Sequence, residues 1–405
     1  LRAEGAGGLS LSSGTYTNDG HVIDAATGSK VTLMNGAVLV GGTLATTGTG
    51  QIVPASGSRL NGVTIASGAI VAHPNGAAVT LTDGIVNRGR WLLNGGGITT
   101  TLTFSGDQTL GGSGELVLTD STYNRVAMAA TSQTLTHGSG HTIRGAGYLL
   151  NNTGDLDNYG TILAVGAKKL IINPYASFRN LGSGRLGGTG TMALTDGFAA
   201  NAGTIAPGLS VGTLTIEGNV SNASSAVFDF ELGGTGSGQS DRLAVQGSLA
   251  LDGELRLSFA NGYLPEPEDT ITIISATSLS GTFANAVPLS GNTASNVLTD
   301  IGTCDVTYDY VSSPKTVAIS NIRPDPTLLR AVGITTSGEV RTIQFAPSAT
   351  DWLYTLQYRA SLLEGDWSNV PGQGPRPGIG RRDAMVHTNA PAAGFYRVRG
   401  APAAQ

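Results

Sequence analysis

Gly111-Gly112-Ser113-Gly114-Glu115-Leu116-Val117-Leu118-Thr119-Asp120 returns further along the chain as Gly187-Gly188-Thr189-Gly190-Thr191-Met192-Ala193-Leu194-Thr195-Asp196. An earlier copy of its end is Val79-Thr80-Leu81-Thr82-Asp83, and a weaker one is Leu156-Asp157. The terminal aspartates fall at 83, 120, 157 and 196, in steps of 37, 37 and 39 residues. Self-similarity at a fixed period marks a repeat architecture. Each copy is a short strand closed by Gly, Asn, Asp or Ser, and the gaps are too short for a helical crossover. Two turns of about 18 to 20 residues, each with three strands and three bends, fit the period and describe a parallel β-helix. Rungs stack at ~4.8 Å, so about eleven or twelve rungs in residues 1–220 make a rod of roughly 50 to 60 Å.

Composition agrees with that reading. The 405 residues include 60 glycines, 13% charged side chains and 6% aromatics, without a Gly-X-Y period, which excludes collagen. Hydrophobic content of 40% argues against disorder. No apolar run reaches the ~18 residues of a membrane-spanning helix. Apolar spacings of 3, 4 and 7 do not persist for three turns anywhere, so helices are not expected. The sequence opens at Leu1 without a basic-then-apolar leader, so an export signal is expected to have been removed or left out.

Charge is uneven along the chain. Residues 1–220 hold 11 acidic and 11 basic side chains; 221–322 hold 11 and 3, net −8; 323–405 hold 6 and 9, net +3. None of these is basic enough for a nucleic-acid partner. Cys304 is the sole cysteine, which excludes an intrachain disulfide. Its phase with Val306, Tyr308 and Tyr310 predicts a buried, inert thiol.

Three regions follow. Residues 1–220 are read as β-helix rungs. In 221–322 the strands lengthen and alternate (Phe228, Phe230 and Leu232 against Asp229 and Glu231), predicting sheet that continues or caps the solenoid. Ile322-Arg323-Pro324-Asp325-Pro326 reads as a linker, and 323–405 as a small antiparallel β-sandwich-like module carrying Trp352 and Trp367.

Gly203-Thr204-Ile205-Ala206-Pro207-Gly208-Leu209-Ser210-Val211-Gly212-Thr213-Leu214-Thr215-Ile216 resembles the A-P-G-x-S-x-G-T-L-T-I segment of autotransporter-associated β-strand repeats, the adhesin-like passengers of bacterial surface proteins. Phe228–Leu232, Ser240–Val245 and Gly253–Leu257 are similar to the family's continuation. The resemblance is good over residues 200–290 and compositional over 1–200. It implies a secreted, right-handed parallel β-helix. Self-exporting members end in a membrane β-barrel, and none fits in the 83 residues after Ile322, so another export route is expected. Tyr354-Thr355-Leu356-Gln357 … Trp367 … Phe395-Tyr396-Arg397-Val398 resembles modules at the C-termini of secreted bacterial proteins, which implies location and not activity.

Candidate chemistry is sparse. Asp83, Asp120, Asp157 and Asp196, if two rungs apart, stand roughly 10 Å from one another, too far to share a Ca²⁺ held at about 2.3 to 2.6 Å. They are read as bend residues satisfying turn backbone. His137-Gly138-Ser139-Gly140-His141 has the i, i+4 spacing of a zinc pair, but its glycines predict a bend and not a helix. Gly233–Asp241 resembles a glycine-rich Ca²⁺ repeat once, without the period, and is read as a loop. Glu115 and Asp120 form a carboxylate pair with no cleft assigned to them. The sequons at Asn151, Asn219 and Asn222 are pattern matches only. Trp352, Tyr354, Tyr358 and Trp367 are the possible binding residues, able to stack on sugars, against the commoner role of core aromatics. No catalytic, cofactor or metal site is predicted.

The expectation is therefore a non-enzymatic extracellular structural or adhesive protein of the bacterial cell surface, self-associating head to tail into fibres. A glycan-active β-helix enzyme and a glycan-binding protein are the alternatives. Inward Leu81, Leu118 and Leu194 are expected to stack as one ladder.

Overall fold

The computed structural model describes residues 1–195, 198–260, 263, 265–266, 268–379 and 381–403. It is an all-β molecule: a parallel β-solenoid of about 11 turns, followed by antiparallel sheets. Among the described residues no helix is long and apolar enough to cross a membrane.

Each turn lays one strand on each of three sheets. Sheet I stacks nine strands from Arg2–Ala3 to Phe178–Asn180, and sheet II twelve from Leu9–Ser12 to Glu254–Phe259. Sheet III begins at Thr15–Thr17 and stays parallel through Arg242–Leu251 to Ile271–Gly281. The strands form because apolar and hydroxyl side chains alternate at period two. In Lys30–Met34, Val31 and Leu33 are fully buried while Thr32 lies outward, and Val31 stacks on Leu9 below and Ile52 above.

A turn takes more residues than expected. In-register partners on sheet II are 19 residues apart at Ile52/Val71 and 27 at Leu116/Ile143, because corner loops differ in length while strands do not. Ten sheet II strands therefore fall in residues 1–220.

The repeat that revealed the solenoid is not a two-turn unit. Val79–Leu81 lies on sheet III, Val117–Leu118 on sheet II, Leu156–Asp157 on sheet I and Met192–Leu194 on sheet III again, five strands apart each time. Three nearly equivalent faces allow one strand-and-bend sequence to be reused on any of them. The expected leucine ladder is corrected accordingly. Leu81 stacks between Leu60 and Phe104, Leu118 between Leu93 and Gly145, and Leu194 on Ile172. All three are buried, on different lines.

Parallel stacking ends when Ile271–Gly281 pairs antiparallel with Lys315–Pro324, which continues to Gly302–Asp309, Thr293–Thr299 and Leu289–Ser290. One hydrophobic core runs from Ala3 to Ile322. Cys304 lies inside it, and burial pushes its thiol up to about 12. A second core, of Ile343, Phe345, Tyr354, Leu356, Val370 and Met385, holds two small antiparallel sheets.

Candidate functional site

The aspartate series does not converge. Asp83 sits in a bend with φ 55°. Asp120 accepts hydrogen bonds from the backbone N–H groups of Ala167 (3.0 Å) and Lys168 (2.7 Å), fastening a loop two turns on. Asp157 lies in a strand and pairs with Arg179 of the next rung at 2.5 Å. Asp196 lies outside the described residues. Glu115 is committed to Arg90, its in-register partner on one side, and to Arg144, diagonally placed on the next strand. Among the described residues no group of three or more His, Cys, Asp or Glu is placed to hold a metal ion.

His137 and His141 are both buried and touch each other. His141 Nδ1 lies 2.9 Å from His137 Nε2, and His137 Nδ1 lies 2.6 Å from the Asn158 side-chain oxygen. The Asn158 amide donates to Asn180 (2.7 Å), Asn180 to Asn201 (2.7 Å), Asn201 to Asn222 (3.0 Å), and Asn222 to the Ala250 carbonyl (2.8 Å). At the other end the Asn87 amide lies 3.1 Å from His141 Nε2. The direction of the amides assigns the tautomers. His137 must donate from Nδ1 to an oxygen, so its Nε2 accepts from His141 Nδ1–H, and His141 Nε2 accepts from Asn87. Both rings are neutral links in a one-way chain of donors along the corner between sheets I and II.

Burial, the largest cause, lowers His137 to about 4 and His141 to about 3, the latter helped by repulsion from His137. An added proton would set two donors face to face. Space for the side chains comes from glycine: a Cβ at Gly160 would lie 2.5 Å from His137 Cε1, and one at Gly184 2.4 Å from the Asn180 oxygen. The corner has a signal in the sequence. Positions 137, 158, 180, 201 and 222 are 21 or 22 residues apart, one turn each. His73 plays a smaller part elsewhere, donating to the Ala77 carbonyl (3.1 Å) and accepting from the Trp91 indole (3.3 Å), with burial lowering it to about 4.

The Gly233–Asp241 segment closes on itself: the Ser240 hydroxyl accepts from Gly233 N–H at 3.1 Å and donates to the Gly234 carbonyl at 2.6 Å. Asp241 is buried, and its two oxygens accept from Gly212 N–H (2.9 Å) and Glu231 N–H (2.8 Å), latching the Pro207–Gly212 loop to the shaft. Beneath that loop is a pocket of about 250 Å³ lined by Thr161, Arg185, Asp229, Glu231 and Asp241. Burial pushes the Asp241 carboxyl up to about 7, with Glu231 and Asp229 adding repulsion against the two N–H donors.

In the module the four aromatics separate. Tyr354 is a core residue, and Trp352 and Tyr358 pack against that core. The Tyr358 hydroxyl donates to the Ala393 carbonyl at 2.9 Å. Trp367 is half-buried outside that core, with the Arg397 guanidinium 4.4 Å over its ring. The structure does not bring the four rings onto one surface. A scan against protein-family models finds no match to this chain, and a search of curated proteins finds none either.

Proposed function

We propose that this chain is a non-enzymatic, extracellular structural or adhesive protein, a stiff shaft carrying a C-terminal module. One observation carries the reading: the shaft's three buried histidines and its buried Asp241 are spent on holding the shaft together. His137 and His141 are links in the amide chain, His73 is fixed between Trp91 and Ala77, and both Asp241 oxygens hold backbone N–H groups. Groups already held by the fold's own hydrogen bonds are better suited to a structural role than to proton transfer with a substrate. The resemblance of residues 203–216 to surface-protein repeats supports export to the bacterial exterior. The unlike charges of residues 221–322 and 323–405 support ordered head-to-tail association into fibres.

The competing reading, a glycan-active enzyme, draws on the pocket beneath Pro207–Gly212, where a carboxyl near 7 adjoins two further carboxylates. One assay separates the two. The chain should release neither reducing ends nor unsaturated products from a panel of polysaccharides. Turnover abolished by Asp241→Asn or Glu231→Gln would overturn the structural reading. Electron microscopy should show rods joined end to end, and a chain that stays monomeric at high concentration in sedimentation would remove the fibre.

A further inference from the structure

One face of the C-terminal module differs chemically from the shaft. In the strands Trp352–Arg359 and Phe395–Pro402, alternation sends Tyr354, Leu356 and Val398 to the core. It sets Thr355, Gln357, Arg359, Arg397 and Arg399 on the opposite face. The antiparallel register puts Gln357 opposite Arg397, Thr355 opposite Arg399 and Arg359 opposite Phe395. Arg397 is thus the central position of the three arginines, diagonal to Arg359 across the strand pair and two residues from Arg399 along its own strand, with Cβ atoms roughly 7 Å from each. Among the described residues none of them has a carboxylate within ion-pair distance. Arg376 of the same module, by contrast, is clamped to Asp383 at 2.7 and 2.8 Å.

Arg397 is held in place without being neutralised. Trp367 lies under its guanidinium, and its Nε donates to the Gln357 oxygen at 2.7 Å. Gln357 is in turn tied to the Asn369 side chain at 2.8 Å. Neither Nη group has a partner among the described residues. A guanidinium ordered in advance loses little side-chain freedom on pairing, and its fork matches a carboxylate.

We infer that this face binds a carboxylate-bearing polysaccharide, a polymer of uronic acids, with Arg397 as the anchor and Arg359 and Arg399 flanking it. A polymer with a carboxylate on each sugar meets several guanidinium groups of one face at once, and the contacts reinforce one another. Among the described residues Phe395–Pro402 pairs only with Trp352–Arg359, so an acidic peptide could add along its other edge, and poly-glutamate tests that occupant. The Thr355 hydroxyl and the Asn369 amide lie among the arginines as partners for sugar hydroxyls.

This inference rests on the adhesive reading above and names what is adhered to. The test is affinity electrophoresis of the full-length chain in gels containing polygalacturonate, dextran or poly-glutamate. Polygalacturonate should retard the chain, less so as salt rises, and dextran should not. Arg397→Gln should weaken retardation tenfold or more and Arg399→Gln several-fold, with melting temperatures unchanged. Trp367→Phe should weaken it less than Arg397→Gln, as expected of a positioning residue. No retardation by polygalacturonate, equal retardation by dextran or poly-glutamate, or an Arg397→Gln chain that binds like the parent would each overturn the assignment. So would Arg397→Gln abolishing self-association while polygalacturonate has no effect, since the face would then serve a second copy. Failure here with intact rods leaves the structural reading standing, whereas product release in the polysaccharide assay removes that reading, on which this inference rests, whether or not the chain is retarded.

Discussion

The shaft and the C-terminal module solve the same problem, a β-sheet protein without disulfides, in opposite ways. In the shaft each residue's surroundings are set by the rungs above and below. Polar groups inside form an axial chain, and charges outside pair across rungs, as Arg179 does with Asp157 and Arg185 with Asp229. In the module a core of six buried side chains carries two sheets, and the outward Arg359, Arg397 and Arg399 of one sheet have no carboxylate partner among the described residues. Stacking satisfies side chains by repetition. A small sandwich has no such neighbours and leaves a face available for recognition.

The comparison breaks most visibly if the shaft's core is charged. Leu118→Asp places an unpaired carboxylate where a buried leucine stacks on Leu93, and should cost more than about 4 kcal/mol. Trp91 fluorescence and far-UV dichroism should show the shaft unfolded, or melting far below the parent. An unchanged melt would refute the register.

Acid should come next. Burial lowers His73, His137 and His141 to about 4, 4 and 3 from an ordinary 6.5. Between those values and 6.5 the unfolded chain takes up protons that the folded chain refuses. Stability is therefore intact above pH ~6.5 and falls as the pH drops toward 4. At ~1.4 kcal/mol per pKa unit the three together account for a loss of several kcal/mol. Melts between pH 7 and pH 5 should show a steep fall that His73→Gln makes shallower, since glutamine can keep both hydrogen bonds without titrating. Asp241, whose carboxyl burial pushes up to about 7, contributes in the opposite sense, so the decisive comparison is between the parent and His73→Gln, and identical profiles for the two would mean that the His73 ring is charged or exposed.

A smaller effect sharpens the role of the amide chain. Asn180→Ala removes the link between Asn158 and Asn201 and orphans a buried donor and a buried acceptor, at a cost of about 2 to 3 kcal/mol. The urea midpoint should shift down with its slope unchanged. Asn222, at the end of the chain and partly exposed, should matter less when replaced by alanine.

Strand by strand, the all-β character, the solenoid and the antiparallel module were readable from the sequence. Val31-Thr32-Leu33 or Phe228-Asp229-Phe230 declares its buried face by alternation, and Gly, Asn and Asp declare the bends. These are local properties, decided by residues within a few positions of one another. The buried thiol of Cys304 was readable for the same reason.

What only the tertiary structure decided is which strands lie above one another and which polar groups meet. The 37-residue repeat counted five strands and not six, because similar strands on three faces look alike along the chain while corner loops absorb the differences in length. The rung period was present in His137, Asn158, Asn180, Asn201 and Asn222, but an isolated asparagine every 21 or 22 residues reads as turn chemistry until the turns are stacked. Likewise, composition placed two tryptophans in the module. Only the packing of its sheets put Trp352 against the core and Trp367 beneath Arg397, because burial depends on contacts between strands far apart in sequence.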